Sequence, residues 1–146
     1  DIAPELAVWA EPRSLANSVV ANLLTNAIKF STAGGAIYVR AYAEHDEVVL
    51  AVGDHGIGIP AELRPTLFDM QGGTSRPGTA GEGGSGFGLP LVKKFADLYG
   101  AAVEVDSTEV AEDPAGHGTE IRLRFRAAVL PPAPARLDRR PAVAAG

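Results

Sequence analysis

The sequence predicts an α+β domain: one largely antiparallel sheet, helices packed on one of its faces, and a wetter face opposite. Three observations carry that reading. Apolar residues recur at helical spacing from Leu15 to Ile28. Residues 119–126 alternate instead with a period of two, Ile121, Leu123 and Phe125 against Glu120, Arg122, Arg124 and Arg126. Strand-like and helix-like segments also follow one another without the regular alternation that a parallel sheet needs.

Taken in order, Glu5–Trp9 (ELAVW) is a short strand candidate. Glu11-Pro12 opens a helix, with proline in the first turn, where its missing N–H costs nothing. The inward positions are Leu15, Val19, Val20, Leu23, Leu24, Ala27 and Ile28, and Thr32 to Gly35 ends the helix. Residues 36–43 and 47–52 are β-rich on either side of the polar turn Glu44-His45-Asp46, which makes a hairpin. Residues 61–68 allow at most a short helix, disturbed by Pro65. Eight glycines fall within the eighteen positions 71–88, too many to supply core. A second helix follows from about Leu89 to Tyr99, with Leu91, Val92, Phe95 and either Leu98 or Tyr99 facing in and Gly100 as its stop. Residues 102–106 read as a strand. After Arg126 the composition turns to proline and alanine, so residues 1–126 form the domain and 127–146 a linker or tail.

Composition narrows the function. The chain has 146 residues, 46% hydrophobic and 21% charged, which suits one globular domain. A formal net charge of −5 argues against a broad nucleic-acid or anionic-membrane surface. The absence of cysteine removes disulfides, thiolate metal sites and cysteine nucleophiles, and fits a reducing, cytoplasmic setting. No apolar run approaches the roughly 20 residues of a membrane span. The chain begins without an initiator methionine, and it reads as a piece of a longer protein.

Three constellations carry chemistry. Ser18, Asn22, Asn26 and Lys29 line one edge of the first helix. Amide oxygens suit a hard cation such as Mg²⁺, and Lys29 can meet a phosphate as a point charge; a solvated face would use the same residues. Asp54-His55-Gly56-Ile57-Gly58-Ile59-Pro60 follows a strand directly. Its glycines let the chain turn with nothing projecting, so a flat ring can lie close, and Asp54 becomes a lone acceptor for an amino group; a capped turn is the plainer alternative. Gly84-Ser85-Gly86-Phe87-Gly88-Leu89 opens the second helix, where exposed N–H groups form an anion site; a flexible loop with a capped helix is the plainer alternative. The segment lacks the Gly-Lys-Ser/Thr of a Walker loop and the preceding strand of a Rossmann fingerprint.

In this order and spacing, the three motifs resemble the catalytic and ATP-binding domain of sensor histidine kinases. That superfamily is shared with gyrase, the ninety-kilodalton heat-shock chaperone and MutL. NLLTNAIKF is similar to its asparagine box, DHGIGIP to its first glycine box, and LFDM to a phenylalanine box. GGSGFGLPLVKKFADLYG is similar to its second glycine box and GHGTEIRLRF to its closing strand. The resemblance implies a two-layer α/β sandwich of the Bergerat type with ATP and Mg²⁺ as ligands. Asn26 would be the metal ligand, Asn22 would lie beside the phosphates, Lys29 would contact a phosphate, and Phe30 would pack at the nucleotide. Asp54 would bind the adenine amino group, with Gly56, Gly58 and Ile59 admitting the base and Thr119 behind it. Gly84, Ser85, Gly86, Phe87, Gly88 and Leu89 would form the phosphate loop, and residues 70–85 the lid. Asn22, Lys29 and Arg76 are the candidates for catalysis; Arg76 would reach the γ-phosphate or serve as a solvated lid charge.

ATP-hydrolysing members of the superfamily carry glutamate where this chain has Asn22. An amide has no proton affinity near neutral pH and makes a poor general base. The resemblance therefore implies a kinase domain that hands the γ-phosphate to a histidine on a separate dimerisation domain, with a response regulator downstream. The alternative is a degenerate nucleotide-binding or partner-binding module. Two departures stand out: Gln71 replaces the second aromatic of the phenylalanine box, and Phe87 replaces the usual leucine. None of the three histidines, His45, His55 and His117, lies on a plausible acceptor helix. The membrane attachment, if any, belongs to the parent protein.

Overall fold

The computed structural model describes residues 1–70, 77–81 and 83–128. Its first helix starts as expected. The Glu11 carboxylate accepts from the backbone N–H of Arg13 (3.0 Å) and Ser14 (2.6 Å), capping α1 (Pro12–Ser14). The helix then widens into a π-helical segment, Leu15–Val20, where the Ala21 N–H reaches back five residues to the Ala16 carbonyl. It continues as α2 (Ala21–Phe30). Val19, Leu23 and Ala27, spaced by four, form its buried stripe. Ile28, expected inside, is 65% exposed, because it lies one residue around the helix from Ala27.

Four antiparallel strands form the sheet: β1 (Ile37–Glu44), β2 (Glu47–Asp54), β3 (Ala102–Thr108) and β4 (Gly118–Arg126), in the spatial order β1-β2-β4-β3. A 3₁₀ turn at Arg64–Thr66 is all that forms around Pro65. Helix α3 (Gly88–Leu98) buries Val92 and Ala96 and stops where Gly100 takes a positive φ of 65°. Tyr99 packs inward against Phe95 and Phe125, whereas Leu98 stays exposed. The expected strand at 5–9 does not form: only Val8 pairs, in a single bridge to Ala127. Glu5 sits at a positive φ of 61°, and the helix cap at Glu11 follows too soon for a ladder. Ala128 N–H donates to Ala7 O, so the start of the proline- and alanine-rich stretch is tied to the domain; residues 129–146 lie outside the described chain.

Register divides the two faces. Val48, Leu50 and Val52 of β2 pair with Phe125, Leu123 and Ile121 of β4, and all of these but Val48 join the core cluster with residues of α2 and α3. Area burial of such side chains, at about 25 cal/mol per Å², dominates the fold. The opposite face is charged but not simply wet. Arg122 pairs with Glu120 (2.5 Å) and Asp106 (3.3 Å), and Arg124 with Glu104 (2.8 Å), Glu47 (3.2 Å) and Glu44. Across the ladder, Val49 lies between Tyr42 and Arg124, and Ala51 between Arg40 and Arg122. Both are fully buried, since the arginine stems lie over the central strand while their heads stay paired in water.

Candidate nucleotide site

The core-facing side of the sheet turns polar one register row beyond Val52 and Ile121. There Asp54, Thr119 and Ser107 stand side by side on β2, β4 and β3. A cavity opens against this row. Its floor includes Val52 and Ile121, one wall is the Asn22, Asn26, Lys29 edge of α2 with Phe30, and Leu63 and Leu67 close another side. The segment leading into α3, Gly84, Ser85 and Gly86, and the first residues of the helix, Gly88 and Leu89, complete it. Three motifs separated in sequence thus meet in one cleft, and Gly58, Ile59 and Thr119 line it as well.

Asp54 is 8% exposed, and its Oδ1 has no hydrogen-bond partner among the described residues. Burial pushes its carboxyl up to about 6, although the backbone N–H groups of Gly56 and Thr119 and the nearby His55 and His117 pull the other way. A buried carboxylate oxygen without a donor costs free energy unless a ligand supplies one. An amino group entering the cleft would do so.

Asn22 is oriented by its own helix. Its Nδ2 donates to Ser18 O at 2.8 Å, which leaves Oδ1 toward the loop: a Cβ on Gly88 would lie 3.1 Å from it. Asn26 lines the same cavity one turn on, and amide oxygens of this kind would suit a hard, oxygen-seeking cation. Lys29 Nζ lies 5.0 Å from the Phe30 ring centroid, a cation–π pair at the cavity wall. Ser18 contributes its carbonyl rather than lining the cavity.

Gly56 and Phe87 do not line the cleft. Gly56 instead bridges to Ser31, and a Cβ there would overlap the Phe30 carbonyl and Asp54 Oδ1. Gly58, at φ 75°, passes equally close to the Thr108 carbonyl. The first glycine box is thus shaped as much by its own backbone neighbours as by the space it leaves. Phe87 is 55% exposed at the N-cap of α3. Arg76 and Gln71 lie outside the described residues. Among the three histidines, His45 sits in the β1–β2 turn, while His55 Nδ1 donates to Ala36 O (3.2 Å) and His117 Nδ1 to Gly56 O (2.5 Å).

Leu63 in the cavity wall was not anticipated, nor were two polar residues that brace the site from beside it. Thr79 ties the glycine-rich segment to the end of α2, its N–H donating to Lys29 O (3.0 Å) and its hydroxyl to Ser31 O (2.9 Å). Ser107, 7% exposed, accepts from the Ile59 N–H at 2.8 Å and so holds the first glycine box against β3. A polar residue at a core-facing strand position is the one signal that could have marked Ser107.

Comparison with known proteins agrees with this geometry. Residues 11–129 match the family described as "Histidine kinase-, DNA gyrase B-, and HSP90-like ATPase". The chain is 43% identical over 102 residues to the circadian input-output histidine kinase CikA of Thermosynechococcus vestitus, covering 69% of this chain and 14% of that protein. It is 32% identical over 130 residues to the histidine protein kinase DivJ of Caulobacter vibrioides, covering 87% and 20%. It thus spans only a small part of these relatives. Among solved structures, the mycobacterial sensor histidine kinase MprB superposes with a TM-score of 0.69 at 31% identity, covering 88% of this chain and 80% of that one. Full-length ShkA in complex with AMPPNP gives 0.66 at 25% identity, covering 89% and 26%. With a cleft built from an asparagine edge, a buried aspartate with one oxygen unpartnered among the described residues, and a glycine loop, and with residues 11–129 matching its model, the chain belongs to the histidine kinase-, DNA gyrase B- and HSP90-like ATPase family.

Proposed function

We propose that this chain is the ATP-binding catalytic domain of a sensor histidine kinase. It holds Mg²⁺-ATP and delivers the γ-phosphate to a histidine on a separate dimerisation domain, on the same parent chain or another. One observation carries the choice of branch. Asn22 is held by Ser18 with its oxygen toward the start of α3, and by the resemblance it stands at the position where ATP-hydrolysing members of the superfamily carry a glutamate. An amide there leaves water without a base. A histidine brings its own nucleophilic nitrogen: its lone pair forms the N–P bond as the bond from the γ-phosphorus to the bridging oxygen breaks, and ADP departs. Such transfer depends mostly on positioning and charge stabilisation, which Lys29, Asn26 with its cation, and the N–H groups at the start of α3 would supply. Arg76 remains a candidate for the γ-phosphate. ShkA, a full-length relative in fold, was solved with a nucleotide analogue, and the relatives named above are kinases. A response regulator would take the phosphate onward; nucleic acid and membrane are not expected ligands of this domain. Among the described residues no helix is long and apolar enough to cross a membrane.

The test is incubation with γ-labelled ATP, with this chain alone and with the parent's dimerisation hairpin. The chain alone should neither label itself nor release phosphate rapidly, and the hairpin should gain acid-labile, base-stable label. Rapid phosphate release by the chain alone would overturn the kinase reading in favour of an ATPase. Nucleotide binding without transfer to the hairpin would favour a degenerate module.

A further inference from the structure

Ser107 does more than brace a turn. Its Oγ lies 2.8 Å from Thr119 Oγ1, 3.0 Å from Gly118 O and 2.8 Å from the Ile59 nitrogen. We propose that Ser107 is a positioning residue for the nucleotide base: through this contact it directs the Thr119 hydroxyl to donate to the adenine ring nitrogen N1, beside the amino group that Asp54 accepts. The inference rests on the adenine-nucleotide reading above.

Counting protons carries it. The Ile59 N–H fills one lone pair of Ser107 Oγ. Ser107 then has one proton and two candidate acceptors, Gly118 O and Thr119 Oγ1. Given to Gly118, it leaves Thr119 to donate back to Ser107, and Thr119 turns only lone pairs to the cleft. Given to Thr119, it frees the Thr119 proton for the cleft. The two states differ by rotation of two O–H bonds, with no movement of heavy atoms. Adenine presents an acceptor at N1 beside a donor amino group. Asp54 and Thr119 are cross-strand partners on the cavity side of the sheet, so acceptor and donor stand next to each other in matching order. Ser107 is the partner of Thr119 on the other side and is buried, so water does not compete freely for the proton.

The test compares ADP with 1-deaza-ADP, which keeps the amino group and lacks N1, by calorimetric titration. Wild type should prefer ADP. Ser107→Ala should compress that preference by about fivefold, the equivalent of one net hydrogen bond. Any damage through Ile59 weakens both nucleotides equally and cancels from the ratio. Ser107→Thr, which retains the hydroxyl, should restore the preference. If Ser107→Ala does not fold, Ser107→Cys, near in size and a poor hydrogen-bonding group, is read in the same way. An unchanged ratio in the Ala or Cys variant would show that Ser107 is only a brace, and would overturn the inference while leaving the nucleotide site intact. Failure of wild type to bind ADP at all would remove both readings together.

Discussion

Replacing Asp54 by asparagine should make the domain more stable and a worse binder. The carboxyl is raised from the usual aspartate value of 3.8 to about 6, first of all by burial. That shift of about two pH units, at about 1.4 kcal/mol each, means the ionised group costs the folded state about 3 kcal/mol at neutral pH. The sign follows from proton binding. Below pH 6 the folded chain takes up the proton before the unfolded chain does, so the penalty fades as pH falls from 6 toward 3.8. The asparagine side chain carries no charge, but its amide still leaves a buried polar atom short of a partner, which returns roughly half of the gain. The expected net effect of Asp54→Asn at pH 7.5 is about 1.5 kcal/mol, or a rise of about 5 °C in Tm. Urea unfolding of both proteins from pH 7.5 to 4.5 measures it. Other carboxylates titrate in this range, so the difference between the two proteins is the quantity to follow. It should shrink on acidification as the wild type catches up. ADP affinity at pH 7.5 should meanwhile fall at least about tenfold, the loss of one charge-assisted hydrogen bond. A variant no more stable than wild type at pH 7.5, or a stability difference that ignores pH, would refute the reasoning.

The metal and the first glycine box give two further tests. Asn26→Ala should weaken ADP binding about tenfold in Mg²⁺ and leave it unchanged in chelator, read by titration; an equal loss in both would remove the metal role. Gly56→Ala should destabilise the domain by roughly 2 kcal/mol, because the added methyl meets the Phe30 carbonyl, a backbone atom with no rotamer to escape into. An unchanged urea midpoint would show that the loop relaxes instead.

Much of this site was legible because its chemistry sits on local patterns. Asn22, Asn26 and Lys29 share a helix edge by spacing alone, and Asp54 follows a strand and precedes two glycines. Residues whose roles depend on other strands were not legible. Ser107, between Asp106 and Thr108, reads as an ordinary strand residue until the ladder sets it beside Thr119 and under Ile59. Gly56 suggested open space for a ring, yet a Cβ there meets Phe30, twenty-six positions earlier in the chain. The π-helical turn before Asn22 left no trace either, since Leu15, Val19, Leu23 and Ala27 keep a spacing of four throughout. ELAVW has the composition of a strand, but nothing in composition reveals that Glu5 takes a left-handed conformation.

The position of the cleft follows from strand register. Ala41, Leu50, Leu123 and Val103 form one row across the core-facing side of the sheet, and Val39, Val52, Ile121 and Val105 form the next. Both rows are apolar. The row after them is Ile37, Asp54, Thr119 and Ser107, three of its four members polar. A ligand lying there meets an apolar floor and a hydrogen-bonding end wall, which is what a flat base with one polar edge requires. Because side chains alternate faces, a slip of one residue in β2 would turn Asp54 to the arginine-covered side and bring Gly53 to the cleft. The same slip would expose Val52 and Leu50. The apolar rows that stabilise the sheet therefore also fix where the carboxylate stands, and the cost of burying Asp54 is sustained by a core that cannot shift register to relieve it.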